Sequence, residues 1–186
     1  MNVLFFNSQQ ELRKWFQENY LKEDEAWIGF YNKKSIKQSI TWTQLVDEEL
    51  CFGWIDGQKK TYDAESFLQK FTPRRAKSMW SKRNREHIAR LTKEKRMTAA
   101  GKREVDLAKK DGRWDQAYDA PSAMVVPADF LTLLKKDKKA FEFFNTLNKT
   151  NTYAIVWRLQ TAKKPETRAR RAESLLTMLK AGRKLH

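Results

Sequence analysis

The apolar spacing of this chain changes at Pro73, and the change excludes both an all-helical and an all-strand fold. Before it, Phe67, Gln69 and Phe71 alternate with Ser66, Leu68 and Lys70, the two-residue period of a strand. Proline cannot donate to a sheet ladder, so the strand ends there. Beyond it, Ser78 or Ser81 caps a helix running to about Lys95, with Ile88 and Leu91 as a thin apolar seam. WIDGQKKTY at 54–62 supplies the antiparallel partner strand. Asp56-Gly57 alone suggests a tight turn, but the apolar pattern resumes only at Phe67. The turn is therefore placed near Asp63 and Ala64, and Gly57 is read as a bulge.

Ser8 with Glu11 and Thr41 with Gln44 form two capping boxes. The first opens a helix that sets Leu12, Trp15, Phe16 and Tyr20 on one face. The second opens a helix through Leu45, Val46 and Leu50, with Trp42 in its first turn and Gly53 as a left-handed stop. AWIGFY at 26–31 reads as a buried strand, and the basic loop NKKSIKQS follows it. Thr98 begins a helix closed by Gly112, and RWDQAYDAPSAMVVP is a loop ending at Pro127. Helical patterns then cover about 127–135, 138–147, 152–163 and 165–181. The last of them places Ala172, Leu175, Leu176 and Leu179 on one face and Lys164, Arg168 and Arg171 on another. The predicted fold class is α+β: a small, mostly antiparallel sheet with helices, a β-hairpin and a basic helix over 1–120, then an all-α module over 127–186.

The formal charge of +15 is spread unevenly. Residues 61–110 hold 15 Lys or Arg against 6 Asp or Glu, and 141–186 hold 10 against 3, whereas 1–60 hold 8 against 9. Such asymmetry points to an anionic partner, whether nucleic acid, an acidic protein or a membrane surface. The plain alternative is a solvated basic surface with no partner. With Cys51 as the single cysteine and His87 and His186 as the only histidines, the chain has no ligand set for a structural zinc. No stretch approaches the ~20 apolar residues of a membrane span. The start, MNVLFFNSQQELRKWF, lacks a basic region followed by a long apolar run, so the expected compartment is the cytoplasm.

Candidate phosphate contacts cluster after the hairpin at Arg74, Arg75, Lys77, Lys82, Arg83 and Arg85. Trp80 and Phe71, set among them, read either as base-stacking rings or as core anchors. A second basic segment, AKKPETRARR, carries Lys163, Lys164, Arg168 and Arg171. These complete an anion site, form a solvated helix face, or bind carboxylates of the N-terminal module. Trp54, Asp56 and Gln58 are the best small-ligand candidates, set against a reading in which Asp56 serves its turn or pairs with Arg74 or Arg75. Catalysis has little support: Cys51, between Leu50 and Phe52, reads as a small buried hydrophobe. Asp47, Glu48 and Glu49 are consecutive and at ~100° per residue fan around a helix without converging. Gly-rich phosphate loops and GxSxG elbows are absent, and no cofactor or metal is expected.

LCFGWIDGQ at 50–58, FTPRRAKSMWSKRN at 71–84, DGRWDQAYD at 111–119 and YAIVWRLQTAKKPETRARR at 153–171 resemble the bacterial YdeI/OmpD-associated family, labelled bacteriocin-protection, over nearly the whole chain. The resemblance implies a helical C-terminal module, a role in envelope stress, protection against bacteriocins or antimicrobial peptides, and association with an outer-membrane porin. Joined to the charge pattern, it leads to the expectation of a non-enzymatic cytoplasmic protein that binds nucleic acid or another polyanion. The alternative is a stress-response adaptor linked to envelope protection, whose basic faces dock an acidic protein or the inner membrane surface. A small-ligand or enzyme site at Trp54 and Asp56 comes third.

Overall fold

A computed structural model describes residues 3–32 and 34–185; Lys33 of the basic loop and His186 lie outside them. The chain divides into two compact units, Met1–Asp115 and Gln116–His186. In the first, β1 (Val3–Leu4), β2 (Ala26–Tyr31), β3 (Trp54–Thr61) and β4 (Ser66–Pro73) form a sheet of order β1-β2-β4-β3. β1 runs parallel to β2, and the other neighbours are antiparallel. β1 is too short to carry a period, and the sequence pattern did not mark it.

The hairpin turns where expected. Asp63 accepts from the Glu65 backbone at 2.8 Å and from the Ser66 hydroxyl at 2.7 Å, which closes the turn. A bulge falls between Asp56 and Lys59, and the Gln69 amide donates to the Gly57 carbonyl at 2.7 Å, satisfying a group the ladder leaves over. One difference is instructive: Leu68 and Phe71, on opposite parities of β4, are both fully buried. β4 is an inner strand covered on both faces, so its alternation marks a strand without marking a solvent side.

Helices α1 (Gln9–Asn19), α2 (Trp42–Cys51), α3 (Lys82–Lys93) and α4 (Ala99–Lys110) complete this unit. The Ser8 hydroxyl accepts from the Glu11 backbone, while the Glu11 carboxylate reaches past it to the Asn7 N–H at 2.9 Å. At Thr41 both arms of the capping box form. Gly53, at φ +74°, stops α2, and Gly101 lets α4 close on it, because a Cβ there would lie 2.3 Å from the Cys51 carbonyl oxygen. Every residue of α2 from Leu45 to Cys51 is buried. Phe16 stacks on Phe52 at 5.4 Å and meets Trp54 edge-on at 5.4 Å, joining α1 to β3. Each such pair adds roughly 0.5–1.5 kcal/mol beyond its area burial.

The second unit is helical: a 3₁₀ turn (Pro121–Ala123), then α5 (Ala128–Lys135), α6 (Lys138–Asn145), α7 (Lys149–Gln160) and α8 (Pro165–Lys180). Its core gathers Phe130, Leu134, Ala140, Phe144, Ile155, Leu159, Leu175 and Leu179. α7 starts three residues before the predicted 152, because the Asn148 side chain caps it by accepting from the Asn151 backbone at 3.0 Å.

Candidate functional site

The basic segment between β4 and α3 is built on two buried arginines. Arg74 is 7% exposed. Its backbone N–H donates to the Gly53 carbonyl at 3.0 Å, its Nε to the Trp54 carbonyl at 3.1 Å and its Nη1 to the Met79 carbonyl at 3.2 Å. Arg113, at 3% exposed, pairs with Asp111 and donates Nη1 to the Ser78 carbonyl at 2.9 Å. Two successive carbonyls of the segment are thus held from inside by guanidinium groups. Ser78 adds a tight turn, its hydroxyl accepting from the Arg75 N–H at 2.9 Å while its own N–H donates to the Arg75 carbonyl at 2.8 Å.

Aromatic rings extend this scaffold. The Arg74 guanidinium lies 3.7 Å from the centroid of Trp80, Trp80 meets Trp114 at 5.2 Å, and Arg85 lies 5.2 Å from Trp114 while donating to its carbonyl at 3.0 Å. Arg74, Trp80, Trp114 and Arg85 thus follow one another as cation, ring, ring and cation. The expectation for Arg74 is corrected here: burial and its carbonyl bonds take it away from any phosphate. Trp80 and Phe71, at 1% and 0% exposed, are core anchors and cannot stack on bases. Arg85 is half-buried and spends a guanidinium nitrogen on Trp114.

Arg75, Lys77, Lys82 and Arg83 are exposed. Lys82 and Arg83 occupy the first turn of α3, which contains no acid, after the Ser81 hydroxyl cap on the Asn84 N–H at 3.0 Å. A helix start carries partial positive charge and favours acids. Two cations there concentrate positive potential beside backbone donors, the arrangement that attracts an anion.

Asp47, Glu48 and Glu49 fan around α2 as their spacing requires, yet all three are buried. Asp47 takes the His87 Nδ1 at 2.8 Å and Arg90. Although burial pushes its carboxyl up, the hydrogen bonds from Arg90 and His87 hold it below the ordinary aspartate value. Glu48 accepts from Arg13 at 2.8 Å, Arg96 at 2.6 Å and Gln9 at 2.9 Å. Glu49 is fully buried, and neither of its oxygens makes a hydrogen bond of ordinary geometry among the described residues. Burial, and then the Asp56 charge, raise it well above the usual glutamate range against the pull of Arg74. No group of three or more acids, histidines or cysteines among the described residues has metal-site geometry. The Cys51 thiol is buried and pushed up to about 11, first by burial and then by Glu48, so it is no nucleophile.

Trp54, Asp56 and Gln58, expected to share a pocket, have different surroundings. Trp54 is 1% exposed, with its Nε1 on the Tyr20 carbonyl at 3.3 Å, and Gln58 sits exposed in the bulge. Asp56, an exposed residue whose carboxyl end is enclosed, is raised by that burial against the pull of its own backbone N–H and Arg74. In the second unit Lys163 and Lys164 are exposed. Arg168 binds Asp129 at 2.7 Å and the Leu159 carbonyl at 2.9 Å, and Arg171 donates to the Arg158 carbonyl at 2.7 Å. These last two brace α8 against its own unit. Arg158, Arg170 and Arg171 also line a cleft of about 260 Å³ with Ser174 and Met178.

The architecture defines a basic two-unit protein, a mixed sheet with helices followed by a helical unit, with a fixed cationic segment and no helix long and apolar enough to cross a membrane among the described residues. Residues 4–104, more than half the chain, match the family described as a domain of unknown function, DUF8412, and the chain belongs to that family. Residues 123–182 match the family described as "Bacteriocin-protection, YdeI or OmpD-Associated". The resemblance expected over nearly the whole chain thus holds for the helical end only, and the strings at 50–58 and 71–84 fall in the other match. No curated protein and no solved structure matches the chain.

Proposed function

We propose that this is a non-enzymatic binding protein for nucleic acid or another polyanion, acting in the cytoplasm through Arg75, Lys77, Lys82 and Arg83. The observation that carries the reading is the division of labour between neighbours: Arg74 and Arg113 point inward and fix the segment's carbonyls, so that the exposed cations stand on a rigid base at an acid-free helix start. A fixed backbone beneath these cations leaves less chain entropy to lose on binding than a flexible basic tail would. With Trp80 in the core, affinity comes from phosphates and carries little sequence preference. Fluorescence anisotropy with a labelled duplex and a labelled single strand tests this. Binding at ~50 mM salt that weakens steeply by ~200 mM supports it, and no binding at the lower salt refutes it.

A second reading attaches to the helical unit, whose match is to a bacteriocin-protection family. There the cleft of Arg158, Arg170 and Arg171 suits the carboxylates of an acidic protein segment, making the protein an envelope-stress adaptor. Arg170→Glu would then abolish capture of an acidic peptide while leaving nucleic-acid binding intact.

A further inference from the structure

At the opposite end of β4 from the basic segment, the ends of β2 and β4, the loop before α2 and its first turn enclose a cleft of about 640 Å³. Eight residues of strand separate the two places, roughly 25 Å. The floor is aromatic: Phe30 stacks on Phe67 at 5.2 Å with 13° between planes, and meets Trp42 at 5.9 Å. Trp42 is 39% exposed although the Thr41 capping box fixes its backbone. Its ring is presented to solvent by the helix start and is not tucked beneath it.

Cations stand beside this floor, Lys37 in the cleft wall and Lys59 just outside it. Lys59 Nζ stands 3.6 Å from the Phe67 centroid, and Lys37 Nζ stands 5.6 Å from that of Tyr31. Lys37 also has a loose, exposed pairing with Glu65 at 3.7 Å. The cleft wall itself contains no Asp or Glu among the described residues, and Ser35 and Gln38 add hydroxyl and amide groups. A cationic ligand would be repelled by these lysines, and a purely apolar one would leave them unused. A flat ring with an anionic substituent answers both features, and the volume falls in the range of small-molecule sites.

We infer that the cleft binds a nucleotide, with the base stacked on Trp42 over Phe30 and Phe67 and the phosphate directed to Lys37 and Lys59. The chemistry is shared by a free mononucleotide and by one unit of a single strand. This inference stands apart from the polyanion reading, because its residues belong to the other end of the unit.

Isothermal titration calorimetry of the full chain with adenosine monophosphate, adenosine and ribose 5-phosphate, and of the Arg75→Glu, Arg83→Glu chain with a six-nucleotide single strand, tests it. Adenosine monophosphate or the hexamer should bind, with Trp42→Ala weakening it at least tenfold, Trp42→Phe restoring most of the loss, and Lys59→Ala weakening it several-fold. Adenosine and ribose 5-phosphate should each bind at least tenfold more weakly than the nucleotide. Binding of the hexamer alone assigns the site to a strand, and binding of both assigns it to a free nucleotide as well. The inference is overturned if neither binds, if Trp42→Ala binds like the native chain, or if ribose 5-phosphate equals the nucleotide. Arg75→Glu with Arg83→Glu should leave mononucleotide binding unchanged, so failure here and failure of the polyanion reading are separable.

Discussion

The Arg74 guanidinium lies 3.7 Å from the centroid of the Trp80 indole, and both residues are almost wholly buried. This contact joins the end of β4 to the approach to α3, and it separates Arg74 from Arg75, its exposed neighbour. A desolvated cation–π pair contributes about 2 kcal/mol, and loss of the guanidinium also strips a donor from the Trp54 and Met79 carbonyls. Arg74→Ala should therefore lower unfolding free energy by ~2–4 kcal/mol in urea titration. Arg75→Ala should stay within ~0.5 kcal/mol of the native chain while weakening polyanion binding. Equal costs at the two positions would mean that the inward and outward roles are misassigned.

Glu49 gives a pH signature. Its folded value is raised, so the folded chain holds a proton that the unfolded chain releases near the ordinary 4.5. The associated stability is complete below about 4.5 and is lost as pH climbs through the folded value. Each pH unit across that window costs about 1.4 kcal/mol. Glu49→Gln should be more stable than the native chain at pH 8, with the advantage shrinking by pH 5; a constant difference across that range would contradict the assignment.

Asp47 acts with the opposite sign. Its folded value is depressed from 3.8, so its contribution is present above about 3.8 and disappears as pH falls through the folded value. Because Arg90 is partly exposed, solvent screening limits the pair, and Asp47→Asn should cost ~1–2 kcal/mol at pH 7. The cost should shrink as pH falls from about 3.8 through the folded value, as read from unfolding midpoints.

Cys51 should resist modification. Burial holds its thiol at about 11, so a disulfide reagent at pH 8 should react with the native chain at least a hundredfold more slowly than with the chain in guanidinium. Rapid labelling of the native chain would show that α2 opens locally.

Much of the frame was legible because it is local. The caps at Ser8, Thr41 and Ser81, the stop at Gly53 and the turn at Asp63 each depend on residues within a few positions, and they form where their motifs stand. What sequence did not reveal depends on distant partners. Glu48 is buried because Arg13 and Arg96 arrive from 35 and 48 residues away, and no spacing within α2 announces them. Arg74 and Arg75 look alike in a basic run; only the burial of Trp80 and the position of the Trp54 carbonyl tell them apart. A usable hint was the seven-residue stretch Leu45–Cys51, which places three acids among apolar residues with no lysine or arginine on the helix to pair them.

The most direct test of the central claim is the salt dependence of polyanion binding for the native chain and for Arg75→Glu with Arg83→Glu, measured by anisotropy on one labelled duplex. The account predicts a linear fall of log affinity with log salt, and a slope shallower by about 2 in the double variant, with unchanged melting temperature and an equal loss for unrelated sequences. Flat salt dependence, or a double variant that binds as the native chain does, would contradict it.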